Sequence, residues 1–248
     1  MNDSELAAHL AENAGRILMQ VRASGRHRGR ELGRAGDAEA NAVLVKALRE
    51  LRPADGLLSE EERDSAARLA KSRVWIVDPL DGTREYAEGR DDWAVHVGLA
   101  IDGAARVGAV ALPALGLLLR SDRPVQRRPA PERPRMVISR TRPPAEASSV
   151  AEALGAELAP MGSAGAKAMA VVRGEAEIYL HSGGQHQWDS CAPVAVAQAH
   201  GFHCSRLDGS PLVYNAHATA MPDLMICRTE WAAGIVELLR RQARQKPR

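Results

Sequence analysis

At 248 residues, 45% hydrophobic and 26% charged, the chain is large enough for a sizeable core, as one large domain or two smaller ones. A net charge of +2 excludes the basic excess of a dedicated nucleic-acid binder, and the polar, acidic start from Met1 to Leu10 is unlike a signal peptide. No apolar run approaches membrane-spanning length, and Cys191, Cys204 and Cys227, without Cys-x-x-Cys spacing, read as free thiols of a reducing cytoplasm. Aromatic residues are only 3% of the chain, so the core must come mainly from Ala, Val, Leu and Ile.

Leu6, Leu10, Ala14, Ile17, Leu18 and Val21 fall at helical spacing, which predicts an amphipathic helix over residues 3–22. The arginine-rich, glycine-interrupted run from Arg22 to Arg34 reads as a solvated loop or hairpin, with a lid drawing in an anionic substrate as the lesser alternative. Asp37 is expected to cap a second helix reaching about Leu51. Pro53-Ala-Asp-Gly56 turns into Leu57-Leu58, and the acids Glu60 to Glu62 suit a strand end feeding a helix N-terminus.

Val74-Trp75-Ile76-Val77 is a short continuous apolar run, read as a buried strand ending on Asp78 because Pro79 cannot continue a central ladder. Gly82 permits close backbone approach, and Thr83 is expected to cap a helix from about Arg84. Strands follow at Trp93–Ile101, Ala104–Leu112 and Gly116–Arg120, the first two joined by the hairpin signal Asp102-Gly103. The proline- and arginine-rich stretch Ser121–Pro134 is a surface connection between two halves, 1–122 and 135–248. In the second half strands at Met136–Arg140, Glu157–Pro160, Ala176–His181, Phe202–Arg206 and Asp223–Cys227 alternate with helices. The helices are Pro144–Leu154, Ser163–Arg173, Ser190–His200 and Glu230 to about Arg244, which makes a layered α/β architecture. The basic tail Arg240–Arg248 is expected to fray.

Two stretches carry chemistry. Asp78 and Asp81 stand three apart around a forced turn that can bring both carboxylates and the Leu80 carbonyl to one point. Hard oxygen donors beside the amides of a helix start make a site for Mg²⁺ and a phosphate together, although a lone Asp-x-x-Asp is also a common solvated turn. Gly183-Gly184 precede Trp188-Asp189, where Asp189 by itself reads as a helix cap, as does Ser163 in Gly162-Ser163-Ala164.

Asp78-Pro79-Leu80-Asp81-Gly82-Thr83 resembles the signature of the inositol monophosphatase superfamily of metal-dependent, lithium-sensitive phosphatases. Arg84-Glu85-Tyr86 is similar to its CysQ-type 3′(2′),5′-bisphosphate nucleotidase branch. The resemblance extends through Gly36-Asp37-Ala38-Glu39-Ala40, Ser59-Glu60-Glu61, Gly162-Ser163-Ala164, Trp188-Asp189-Ser190-Cys191-Ala192, and Asp208–Leu212 with Tyr214-Asn215. It implies the α-β-α-β-α sandwich of the inositol monophosphatase/fructose bisphosphatase type and two or three Mg²⁺ ions. Glu60, Asp78 and the Leu80 carbonyl would hold one ion, and Asp78, Asp81 and Asp189 a second. Thr83, oriented by Asp37, would activate water, with Glu60 as an alternative base. Gly82 and Thr83 would hold the phosphate; Ser163, Lys167 and Asp189 would complete the substrate side, with Lys167 meeting a second phosphate.

Inositol phosphatases place a Glu seven residues before the Trp-Asp aspartate, where this chain has Ser182. The resemblance therefore implies a cytoplasmic enzyme, monomer or homodimer, converting 3′-phosphoadenosine 5′-phosphate to AMP. Its partner is a small phosphorylated substrate rather than nucleic acid or membrane. Inositol 1-phosphate and fructose 1,6-bisphosphate are the alternative substrates. A haloacid-dehalogenase phosphatase spaces its two aspartates two apart, not three. A catalytically idle metal-binding scaffold would show gaps in the ligand set, and none is seen.

Overall fold

The computed structural model describes residues 1–126 and 129–245. Helix α1 (Asp3–Ala23) is fixed at its start by reciprocal hydrogen bonds between Asn2 and Glu5, both 2.9 Å, and buries Leu6, Leu10, Ala14 and Leu18. Helix α2 (Gly29–Leu51) begins well before Asp37, so Asp37 lies inside the helix instead of capping it. The basic run is accordingly helical from Gly29 onward, with only residues 24–28 joining the two helices. Its glycines look like breakers in sequence, but Gly33 serves close packing: a Cβ there would sit 2.6 Å from the Thr83 methyl carbon. That contact offsets the roughly 1 kcal/mol that glycine costs in a helix.

The first sheet runs β1 (Gly56–Ser59), β2 (Arg73–Asp81), β3 (Ala94–Ile101), β4 (Ala104–Leu112) and β5 (Leu117–Arg120) in that spatial order, parallel between β1 and β2 and antiparallel thereafter. No helix follows the acids after β1. Glu62 instead accepts from Asn41 (3.0 Å) and Arg49 (2.9 Å) on α2, and Asn41 accepts from Ser59 (2.7 Å), which pins the segment as a turn before a short 3₁₀ piece at Ala66–Ala70. Helix α3 (Thr83–Ala87) follows β2, with Gly82 at φ 90° in the cap position expected for Thr83.

The second sheet has the order β7-β6-β8-β10-β9, built from β6 (Arg135–Ser139), β7 (Glu157–Met161), β8 (Ile178–His186), β9 (Phe202–Ser205) and β10 (Ala220–Arg228). Its helices are α4 (Ala147–Leu154), α5 (Ala164–Val172), α6 (Gln187–Ala199) and α7 (Thr229–Gln245). Strand β8 runs on to His186 because Gly183 and Gly184, at φ 75° and 69°, oppose the single Pro222 of β10 as a bulge. Helix α6 therefore starts at Gln187 and holds Asp189 in its first turn, not at its cap. The last part of the basic tail, 246–248, lies outside the described residues.

Three apolar clusters define the layers. Helices α1 and α2 cover one face of the first sheet through Leu6, Leu10, Leu44, Val77 and Val97. Helices α5 and α6 lie between the sheets, where Leu58, Ile76 and Val110 meet Met169, Val194 and Ile226. Helices α4 and α7 close the far face through Val150, Ile178, Met225 and Ile235. The result is the expected α-β-α-β-α sandwich. The first sheet uses residues up to 120 and the second those from 135 on, while the middle core is drawn from both. Helix α6 lies directly on the first sheet: a Cβ built on Gly98 or Gly108 would come 2.9 and 2.4 Å from Ala192 backbone atoms.

Candidate active site

In a regular strand, residues three apart point to opposite faces. Asp78 faces His96 of β3 and Asp81 faces Ala94, so Pro79 and Leu80 together oppose Val95. That extra residue turns Asp81 back to the side of Asp78. The Leu80 amide donates to Asp78 Oδ1 at 3.0 Å. Asp189 enters from α6, held by the His186 amide at 2.5 Å. The three aspartates each present an oxygen within 4.8 Å of the others. Glu60 lines the same cavity from the turn after β1, as do Leu80, Gly82 and Thr83.

Asp81 is the most heavily bonded of the group. It accepts from the Ser163 hydroxyl, the Ala164 amide (3.0 Å) and the Gly165 amide (2.6 Å) at the start of α5. His96, fully buried beneath the site, donates through Nδ1 to the Trp188 carbonyl at 3.1 Å and places Nε2 3.2 Å from Asp81 Oδ2. Sequence reading missed His96. Its signal was a lone imidazole in the apolar run Ala94–Leu99, opposite a candidate ligand. Ser163 holds a left-handed φ of 50°, rare for a residue with a Cβ. Its hydroxyl also accepts from the Ala166 amide (2.9 Å), and Lys167 Nζ donates to the Gly162 and Ser163 carbonyls. Lys167 is 4% exposed, and its ammonium is thus engaged with backbone, 5.3 Å from the Tyr179 ring.

Burial, then Glu60, Asp81 and Asp189, push the Asp78 carboxyl above its ordinary range. Burial, followed by Asp81 and Glu60, raises Asp189 to about 7. Glu60 is raised by burial, and Asp37 by burial and by Glu61 and Glu60, to about 8. Burial would raise Asp81 too, but His96, Ser163 and Lys167 outweigh it and hold Asp81 low. Four carboxylates repelling one another around hard oxygen donors fit a divalent cation of the Mg²⁺ class.

That repulsion has a thermal signature. A carboxyl raised on folding stabilises the metal-free protein while protonated, and the contribution is lost as pH rises from about 4 through about 7 for Asp189. Asp189→Asn should therefore raise the metal-free Tm at about pH 8, where the native group is charged, and change it little at about pH 5. In the wild type, the Tm gain on adding Mg²⁺ should be larger at the higher pH, since less proton must be displaced. Differential scanning fluorimetry in EDTA and in Mg²⁺ checks both. A Tm gain independent of pH would mean that these acids do not hold the ion.

The cavity, about 460 Å³, sets this acidic floor against a basic wall of Arg84, Arg140, Arg142 and Lys167. Arg140 is committed to Asp92 (2.5 Å) and Glu85 (3.3 Å), and Asp92 also accepts from the Gly162 amide (2.7 Å). Glu85 thus ties α3 to the second half, and Tyr86 ties it to α1 by donating to the Leu18 carbonyl at 2.7 Å. Arg84 and Arg142 have no ion-pair partner among the described residues; the Arg142 guanidinium lies across Gly184, with Nη1 2.6 Å from where a Cβ would stand. Asp37, one turn on from Gly33, shares its helix face, but the Thr83 hydroxyl donates to the Leu80 carbonyl (3.1 Å). No hydrogen bond joins Thr83 to Asp37 among the described residues.

A profile of the inositol monophosphatase family matches residues 3–244. The chain is 49% identical over 231 residues to the 3′-phosphoadenosine 5′-phosphate phosphatase of Mycobacterium tuberculosis, covering 89% of this chain and 86% of that protein. It is 30% identical over 224 residues to the 3′(2′),5′-bisphosphate nucleotidase CysQ of Escherichia coli O157:H7, covering 83% and 91%. Among solved structures, CysQ from Bacteroides thetaiotaomicron superposes with a TM-score of 0.76 at 22% identity, covering 90% of this chain and 96% of that one.

Proposed function

This chain belongs to the inositol monophosphatase family, and from that premise we propose that it removes the 3′-phosphate of 3′-phosphoadenosine 5′-phosphate, leaving AMP. It is a phosphatase. One observation carries the choice of substrate: the cavity joins a cation-holding acidic floor to a wall with uncommitted arginines, which suits a molecule with two separated phosphates. Ser182, at the position where inositol phosphatases place a Glu, turns away to donate to Glu146 at 3.1 Å and is not part of the cavity lining.

In this reading Asp78, Asp81, Asp189, Glu60 and the Leu80 carbonyl hold two or three Mg²⁺ ions. The bound ions supply charge neutralisation at the phosphate and lower the pKa of water. The Gly82 and Thr83 amides hold phosphate oxygens. The Thr83 hydroxyl, which donates its hydrogen bond to the Leu80 carbonyl, keeps lone pairs to accept from the attacking water, and Asp37 and Glu60 are the nearby proton stores. Ser163 keeps Asp81 and the start of α5 in register, and Arg142 with Lys167 forms the wall for the 5′-phosphate. We place the enzyme in the cytoplasm, as a monomer or homodimer. Cys191, Cys204 and Cys227 form no disulfide, burial pushes their thiols up, and among the described residues no helix is long and apolar enough to cross a membrane.

Phosphate release from a substrate panel in Mg²⁺, with and without Li⁺, tests the assignment. 3′-Phosphoadenosine 5′-phosphate should be cut and AMP spared, with inositol 1-phosphate and fructose 1,6-bisphosphate poorer. Arg142→Ala should lower kcat/KM for the bisphosphate by about 10- to 100-fold, the worth of one charged hydrogen bond, and leave 3′-AMP nearly unaffected. A higher kcat/KM for inositol 1-phosphate would overturn the substrate while leaving the metal chemistry standing.

A further inference from the structure

Strands β9 and β10 are hydrogen-bonded antiparallel neighbours, a pairing that a turn of about two to five residues usually closes. Fourteen residues, 206–219, lie between them instead, and none of these lines the acidic cavity. The segment crosses to the first half and is stitched there. The Tyr214 amide donates to the Gly103 carbonyl (2.8 Å) at the β3–β4 turn. Asn215, at φ 56°, uses every polar group of its side chain: Nδ2 donates to the Arg68 and Lys71 carbonyls (3.1 and 3.2 Å), and Oδ1 accepts from Arg68 Nη1 (2.9 Å). Arg68, 3% exposed, also forks onto Asp64 at 2.7 and 2.9 Å, in the segment that begins with Glu60.

On its other side the same residue grips α6. The Asn215 amide donates to Gln187 Oε1 at 2.6 Å. Gln187 is fully buried, two residues before Asp189, and its Nε2 returns bonds to the Ala216 and Ala218 carbonyls (3.2 and 2.9 Å). Hydrogen bonds therefore run from Asp64, four residues along the chain from Glu60, through Arg68 and Asn215 to Gln187, in the helix turn that carries Asp189. Glu60 and Asp189 come from opposite halves, and Asn215 joins the segment that follows Glu60 to the residue two before Asp189.

We propose that Asn215 is a positioning residue for the metal centre: it sets the first turn of α6, and with it Asp189, against the Glu60 side of the site. The proposal rests on the reading that Glu60 and Asp189 serve one cation site. Supports of this outer kind typically govern metal affinity by about 10- to 100-fold. Glycine tolerates positive φ, so Asn215→Gly removes the side-chain bonds without adding backbone strain.

The test is calorimetric titration of Mg²⁺ or Mn²⁺ into the full-length, substrate-free protein, alongside metal-free Tm and steady-state rates. Asn215→Gly should weaken cation affinity by about tenfold or more and raise the Mg²⁺ needed for half-maximal rate in parallel. The substrate KM at saturating Mg²⁺ should stay within about twofold, because the residue is outside the cavity. Gln187→Leu should weaken affinity likewise, the double variant little further, and Val213→Ser, on an exposed neighbour, not at all. Should Asn215→Gly fail to fold, Asn215→Asp, which keeps the acceptor for Arg68 but loses both donations to Arg68 and Lys71, should still weaken cation affinity. Wild-type affinity in a folded Asn215 variant, with only Tm lowered, would overturn the proposal. Absence of cation binding by the wild type would instead overturn the reading of the site.

Discussion

Asp81→Asn is expected to lower kcat by about 10³-fold or more, beyond the 10²–10³ typical of losing one preorganised electrostatic group. The reason lies in how Asp81 is held. Its oxygens take the Ser163 hydroxyl and the Ala164 and Gly165 amides, with His96 alongside, so the carboxylate is kept ionised at the place where positive charge must be held. An amide would supply no anionic charge to hold a cation, and its NH₂ would face either a backbone donor or the imidazole. One buried donor left without an acceptor costs about 1–3 kcal/mol, a loss of several degrees in Tm for a chain of this size. The variant should therefore remain folded with turnover nearly gone. Rates in saturating Mg²⁺, with circular dichroism melts on the same preparations, separate the two effects. Activity within a few-fold of wild type would remove Asp81 from the metal centre.

Thr83→Ala should reduce kcat by about 10²–10⁴-fold, the range for a positioned proton-transfer group. The Thr83 methyl packs on Gly33, and Asp37 and Asn41 follow at successive turns of the same α2 face. Asn41 already fastens Ser59 and Glu62, on either side of the Glu60 and Glu61 that add to burial in raising Asp37 to about 8. A carboxyl poised near neutrality and aligned with the Thr83 turn is suited to taking and returning a proton. Asp37→Asn should match the threonine variant, and the double variant should lose little more, because the Gly33 contact sets the α2 face that carries Asp37 against Thr83 and both would serve the same attacking water. Single-turnover rates decide it: multiplicative losses would mean that Asp37 acts separately from Thr83.

What the sequence revealed was set by local rules. The apolar spacing of Leu6 to Val21 and the run Val74–Val77 each fix a buried face, and both elements appear there, although β2 does not end on Asp78 as expected but runs across the bulge at Pro79 and Leu80 to Asp81. The Asp78–Thr83 turn was legible because proline, glycine and spacing act within six residues. The start of α2 was not: Gly29, Gly33 and Gly36 carry the sign of a breaker, and only tertiary packing, of Gly33 on Thr83 and of Gly36 on Leu18, Leu80 and Tyr86, makes the latter two favourable in a helix. Glu61 and Glu62 looked like helix-start acids until Asn41 and Arg49, distant in sequence, were seen to hold Glu62 in a turn. His96 and the Arg140–Asp92–Glu85 clamp are tertiary pairings across 15 to 55 positions or more, beyond the reach of any local pattern.

Gly98 and Gly108 show a constraint of a different kind. Both sit in the first sheet under the backbone of Ala192, where no side chain can be housed without lifting α6. Lifting α6 would carry Asp189 away with it. These two positions are closed to variation by geometry alone, whatever the enzyme acts on. A lineage of such proteins is free to change its substrate through residues of the cavity wall, such as Arg84 and Arg142. The glycine floor has to be inherited unchanged.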